Sequence, residues 1–294
     1  MRVVGKRLCR AVGLMVALGV SAGSAQTLSI VPLDTPPQAV ALAPSMPGQL
    51  PHSTLARGTR DIAAAWLAAP TGRYAHGVLG DALEAGVLAV DTRDGTRLRF
   101  VLPARRVFED LVPRLVDLDG DGRDEIVVVE SDRDLGASLA VFGLVDGALQ
   151  RRAASPFIGR AKRWLNPLGA GDFDADGRLE LAAVITPHIG GILRLYRFTP
   201  PTLSAFAETG DVSTHAIGST ALAMGHVLAA VPRALMLVPD QAHRRLRLLA
   251  WDGGWSTLAT EDLPGRQRGA LVAIGEKRWR GHSDGGGFAV ELAP

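Results

Sequence analysis

Cysteine is almost absent from the 294-residue chain: there is one, Cys9. It precedes the apolar run Ala11–Val20, so everything after that run lacks a thiol. Disulfides, cysteine nucleophiles and thiolate metal sites are thereby excluded, which fits an oxidising compartment. A lipoprotein cysteine is excluded too, because it would follow the run. Lysine is scarce, with Lys6, Lys162 and Lys277 the only three, and arginine supplies the other positive charge; we read this as codon bias. After Val20 no stretch of 18 uninterrupted apolar residues occurs, so no later segment suits a membrane span. With 34 glycines and 18 prolines the chain falls short of low complexity. Its 47% hydrophobic content predicts a packed core, not a disordered chain.

What is present begins with a secretory signal. Residues 1–25 join a basic start (Arg2, Lys6, Arg7, Arg10) to the apolar run and then to small residues. The run is too short for a span of about 20 residues, so cleavage is expected after Ala25 in preference to an uncleaved anchor. Without the four cations, 28 basic residues face 30 acidic ones, a net charge of −2. No basic stripe argues for nucleic acid. Residues 26–58 read as a proline-rich extended leader with little structure of its own. A repeat domain is expected over 59–294, exported to the periplasm or secreted, with no stable membrane insertion.

Within that domain short apolar runs recur between Gly, Asp and Pro, for example Ile126–Val129, Leu181–Ile185 and Phe288–Leu292. Their length suits strands. Aligning on Glu84, Glu125 and Glu180 places a glycine eleven residues later each time, at Gly95, Gly136 and Gly191. An aspartate precedes each glutamate: Asp81, Asp117 and Asp172. A weaker copy runs from His215 to Trp255, and a truncated one from Gly265 onward. Such a unit suits a small antiparallel blade, and radial packing of blades gives an all-β β-propeller, here expected with five blades. A β-sandwich or irregular solenoid is the competing architecture.

Two acidic turns carry the clearest chemistry. One is Asp117-Leu-Asp119-Gly-Asp121-Gly-Arg123-Asp-Glu125; the other is Asp172-Phe-Asp174-Ala-Asp176-Gly-Arg178-Leu-Glu180. Both have carboxylates at positions 1, 3 and 5, glycine at 6 and glutamate at 9. Calcium takes six to eight oxygens, and the carbonyls of Arg123 and Arg178 would add a backbone ligand. An EF-hand would need glutamate at position 12, where Val128 and Ala183 stand. The expectation is a calcium loop between strands; the alternative is a solvated acidic hairpin without metal.

These turns, each followed by an apolar run, resemble the FG-GAP / VCBS repeat family and the calcium-loop blades of the integrin α-subunit propeller. The resemblance implies a propeller over roughly Asp61–Pro294. It implies Ca2+ ligands at Asp117, Asp119, Asp121, Arg123 and Glu125, and at Asp172, Asp174, Asp176, Arg178 and Glu180. The chain departs from the family in having glutamate where aspartate is commoner at position 9, and in lacking the literal Phe-Gly-Gly-Ala-Pro phrase.

Enzyme signals are weak. Gly281-His-Ser283-Asp-Gly285 fits G-x-S-x-G, but no histidine follows it, so it reads as a turn. No P-loop or dinucleotide fingerprint occurs, and the seven histidines show no HxH or HxxxH spacing. Arg73, Tyr74, His76, Arg163, Trp164, Asn166, His188 and His215 lie near inferred turns and could line a ligand face; packing and capping roles compete. The functional expectation is a non-enzymatic calcium-binding module for a protein or glycan partner. A propeller-based hydrolase or lyase acting on a polysaccharide or phosphoester is the alternative, and a purely structural surface protein a third.

Overall fold

The computed structural model describes residues 26–33 and 46–293; the expected signal segment, residues 1–25, lies outside them. Among the described residues there is no helix, and the strands fall into five successive antiparallel meanders. The first comprises β2 (Ala56–Arg57), β3 (Ile62–Thr71), β4 (Glu84–Thr92) and β5 (Arg97–Val101), preceded in the chain by β1 (Thr27–Leu33). A short β6 (Arg106–Phe108) pairs with both β4 and the second strand of the next meander. The second comprises β7 (Arg114–Val116), β8 (Glu125–Asp132), β9 (Gly136–Val145) and β10 (Ala148–Ala154). The third is β11 (Leu165–Gly171), β12 (Glu180–Ile185), β13 (Ile192–Thr199) and β14 (Thr202–Thr209). The fourth is β15 (His226–Leu228), β16 (Leu235–Pro239), β17 (Arg245–Trp251) and β18 (Trp255–Asp262). In the last, β19 (Val272–Gly275), β20 (Arg278–Ser283) and β21 (Gly286–Ala293) are completed by β1, the first strand among the described residues.

The first strands of neighbouring meanders touch, β2 against β7 and β11 against β15, as inner strands around one axis do. This is a β-propeller. The second strands of the second, third and fourth meanders are buried on both faces, which explains their unalternating apolar runs: every residue of β8, β12 and β16 is buried. The main core joins the first three meanders, with Phe142 packed edge-on against Phe100 and Phe108. Two further clusters run through the third to fifth meanders, and Leu28 of β1 belongs to the last of them.

Two expectations need correction. Thr27–Leu33, inside the segment read as a leader, is an ordered strand paired residue by residue with β21. Leu28 and Ile30 alternate inward, and seven residues are too short a pattern to stand out beside so many prolines. The repeat phase is also wrong in its first copy. Glu125 and Glu180 open second strands, but Glu84 opens a third strand. The glycines show the same displacement. A Cβ at Gly136 would sit 2.2 Å from the Arg160 carbonyl, and one at Gly191 1.8 Å from that of Val212; at Gly95 it would meet nothing within 4 Å. Gly136 and Gly191 therefore mark a close approach of the following link, whereas Gly95 only serves its own turn, at φ +88.

Antiparallel order sends the connections to two ends. Loops joining first to second and third to fourth strands lie at one end, here the lower. Loops joining second to third strands, and the links between meanders, lie at the upper end.

Candidate metal centre

Both acidic turns are lower-end loops between a first and a second strand. Each is anchored by its second residue, buried Leu118 in one and Phe173 in the other. Their hydrogen bonds correspond closely. Asp117 accepts from the amides of Gly120 (2.8 Å) and Gly122 (3.1 Å), and Asp172 from those of Asp176 (3.1 Å) and Gly177 (3.0 Å). Asp121 accepts from the Arg123 amide and Asp176 from that of Arg178, both at 2.8 Å. Glu125 reaches back to the Leu118 amide (2.8 Å), as Glu180 does to Phe173 (2.9 Å). Gly122 and Gly177 both take φ +84, a left-handed conformation that favours glycine.

Carboxylate oxygens of Asp117, Asp119 and Glu125 come within 4.8 Å of one another, and so do those of Asp172, Asp174 and Glu180. Asp121 and Asp176 stay outside these triads, exposed and engaged with backbone amides. The side chains of Arg123 and Arg178 are exposed as well. Burial, reinforced by the Asp119 charge, pushes Glu125 up to about 7. Burial and the aspartates of its own loop do the same to Glu180. An all-oxygen triad that resists carrying its full negative charge suits a hard divalent cation.

Two arginines that sequence spacing did not single out lie across these triads. Arg152 on β10 spans the first, bonding Glu125 and, at 3.0 Å, Asp119. Its guanidinium also stands over the Phe198 ring of the neighbouring meander. Arg197 on β13 reaches Asp174 alone, at 2.6 Å. The two loops line one cavity of about 450 Å³, with Arg197 and Phe198 in its wall.

The expected ligand-face residues are upper-end residues, opposite the acidic loops, and most of them meet. Trp164 stacks on His188 (centroids 6.0 Å apart) and packs edge-on against His215 (4.8 Å). His188 Nε2 lies 2.8 Å from His215 Nδ1, and the Trp164 indole donates to the Glu109 carbonyl at 2.9 Å. His76 Nδ1 lies 2.5 Å from the fully buried Glu109 carboxylate, which also accepts from Ser131. Tyr74 sits edge-on to His76, and its hydroxyl accepts from the Lys162 amide. Burial lowers His188 to about 3 and His215 to about 4 and raises Glu109, so the imidazole pair is neutral.

Three of the set play other parts. Arg73 donates to the Arg106 carbonyl, Arg163 only to the neighbouring Lys162 carbonyl, and Asn166 ties down the link to the fourth meander through Thr214 and Leu222. Ser283 ends β20 and donates to the Gly286 carbonyl, as a turn residue does. Glu109 and Ser131 had no local signal, standing 33 and 55 positions from His76.

The paired loops and the strands between them bear directly on kinship. Residues 117–183 match the family described as FG-GAP-like repeat. This segment is similar to an FG-GAP-like repeat. It opens at Asp117, the first residue of one acidic turn, and closes at Ala183 within the strand that follows the other. FG-GAP repeats often bind Ca2+, and each acidic cluster of this segment could hold a metal ion. No curated protein matches the chain.

Proposed function

We propose that this chain is an exported, calcium-binding β-propeller of five blades that serves as an interaction module for a protein partner, without a reaction of its own. The observation that carries the calcium reading is duplication. Two loops 55 positions apart repeat the same carboxylate triad, a buried apolar anchor at the same position and nearly the same backbone hydrogen bonds. Acidic hairpins left to drift would have no reason to keep that register. In the first loop Asp117, Asp119 and Glu125 would hold the ion, in the second Asp172, Asp174 and Glu180. Export rests on residues 1–25, and β1 begins two residues after the expected cleavage.

The test is thermal melting of the full chain with calcium against chelator, alongside elemental analysis. A ligand that binds only the folded state adds about 2.7 kcal/mol per site at a hundredfold excess over Kd. Calcium should raise Tm, magnesium much less, since it demands a tighter octahedral shell. Asp119→Ala and Asp174→Ala should each remove one equivalent of calcium. A melting temperature indifferent to chelator, with no calcium in the purified protein, would overturn the reading.

One observation favours the hydrolase or lyase alternative. His76, held by buried Glu109, has the arrangement of a general base. A hydrolytic activity on a polysaccharide or phosphoester that disappears in His76→Ala would establish it.

A further inference from the structure

The connections at the two ends of the propeller differ in charge. Among the described residues the upper connections are 46–55, 72–83, 102–113, 133–135, 155–164, 186–191, 210–225, 240–244, 263–271 and 284–285. They hold ten Lys and Arg against seven Asp and Glu. Of those seven, Glu109, Asp110 and Asp240 are buried. The lower connections are 58–61, 93–96, 117–124, 146–147, 172–179, 200–201, 229–234, 252–254 and 276–277. They hold six against twelve. The triads account for only part of the difference, and nothing in their chemistry requires an excess of cations at the opposite end.

The upper cations concentrate in the link 155–164, which has Arg160, Lys162 and Arg163 and no carboxylate. Exposed Arg133 adjoins it in the neighbouring turn. Neither Arg133 nor Arg160 has a side-chain hydrogen bond or ion pair among the described residues. Elsewhere in this arginine-rich chain guanidinium groups are mostly paired: Arg105 with Asp132, Arg106 with Glu130, Arg245 with Asp240.

Large aliphatic side chains are exposed in the connections of the same end. Ile217 is 72% exposed, Ile189 62% and Leu135 40%. Backbone contacts join the segments that bear them into one surface. The Arg160 amide donates to the Leu135 carbonyl, Lys162 donates to Tyr74 Oη, and Thr186 donates to the Trp164 carbonyl. His188 and His215, which adjoin the two isoleucines closely in sequence, are hydrogen-bonded to each other. The floor between them is the Trp164–His188–His215 stack, whose imidazoles stay neutral and oppose no incoming charge of either sign.

From this combination we infer that the upper end docks a protein segment rich in both carboxylates and aliphatic side chains. The unpaired guanidinium groups supply long-range attraction and orientation, and the isoleucines supply apolar area to bury. A glycan or a nucleic acid would satisfy the cations and leave Ile189 and Ile217 in water, which is why the partner is placed among proteins. The inference rests on the interaction-module reading above and names its partner class, and it assigns partner and calcium to opposite ends.

The experiment uses the full-length chain in calcium and three labelled probes: a peptide of alternating glutamate and leucine, an all-glutamate peptide of the same length, and a sulfated oligosaccharide. Fluorescence anisotropy should rank the glutamate–leucine peptide tightest, by about tenfold, and its affinity should fall several-fold as salt rises across the physiological range. Arg160→Glu with Lys162→Glu should cost at least tenfold against this probe. Ile189→Ser with Ile217→Ser should erase its advantage over all-glutamate. Both pairs are surface changes, so an unchanged Tm serves as the folding control. Equal affinity for the two peptides, tighter binding of the oligosaccharide, or double variants that bind like wild type would each overturn the inference. Calcium binding measured on the same samples keeps the two readings apart: intact calcium sites without peptide binding reject the docking surface alone.

Discussion

At the residue scale, Arg152 distinguishes two otherwise matched loops. It makes two contacts to its triad where Arg197 makes one. A guanidinium between Glu125 and Asp119 relieves the same repulsion that a cation would, so on the calcium reading proposed above ion and arginine would compete in the first loop. Arg152→Gln should therefore raise calcium affinity there by about fivefold, the effect of roughly 1 kcal/mol for a partly exposed ion pair. It should also lower Tm in chelator, where the arginine is the only countercharge bridging the two. Titration calorimetry in an Asp174→Ala background isolates the first loop, and an unchanged or weaker affinity would refute the competition. The clustering of the carboxylates was legible because the members of each triad lie within nine consecutive residues. The arginine was not, since it sits 33 positions from Asp119 and only the pairing of β8, β9 and β10 brings it across.

At the element scale, the recurring glycines read as one signal in the sequence and divide into two in the structure. Gly136 and Gly191 stand where the next link crosses against the start of a third strand, with no room for a side chain. Gly95 turns in open space. Gly191→Ala should accordingly destabilise by about 3 kcal/mol or more, because backbone must move to admit the methyl group. Gly95→Ala should cost only about 1 kcal/mol, the price of a left-handed turn for a residue with a Cβ. Denaturant melts of the two variants compare the effects directly; equal costs would mean that the close approach is not what fixes Gly191. The same contrast explains what sequence spacing could and could not deliver. Eleven-residue spacing is as natural for a third-to-fourth hairpin as for a second-to-third one, so the copies looked equivalent while differing by one strand. The strand runs themselves were legible, because double-sided burial leaves them continuously apolar.

At the scale of the whole molecule, stability depends on how the chain closes on itself. The last meander has only three strands of its own, and β1 supplies the fourth over seven paired positions from Thr27↔Ala293 to Leu33↔Gly287. This joins the first described strand to the last one and covers an edge that would otherwise be open to another molecule. Leu28, 3% exposed, is the anchor: it belongs to the apolar cluster of Leu248, Phe288 and Val290. Leu28→Ala should lower stability by about 2–4 kcal/mol through the cavity it leaves. Ile30→Pro should act differently, removing a backbone donor from the strand opposite Val290 and freeing the β21 edge. The first variant should melt earlier as a monomer. The second should, in addition, shift toward oligomers in size-exclusion chromatography as concentration rises, because an unpaired strand edge templates further pairing. Substitution of Val31, which is 40% exposed on the same strand, should do neither. If both variants melted like wild type, β1 would be an appendage, and closure of the ring would have to come from the inner strands alone.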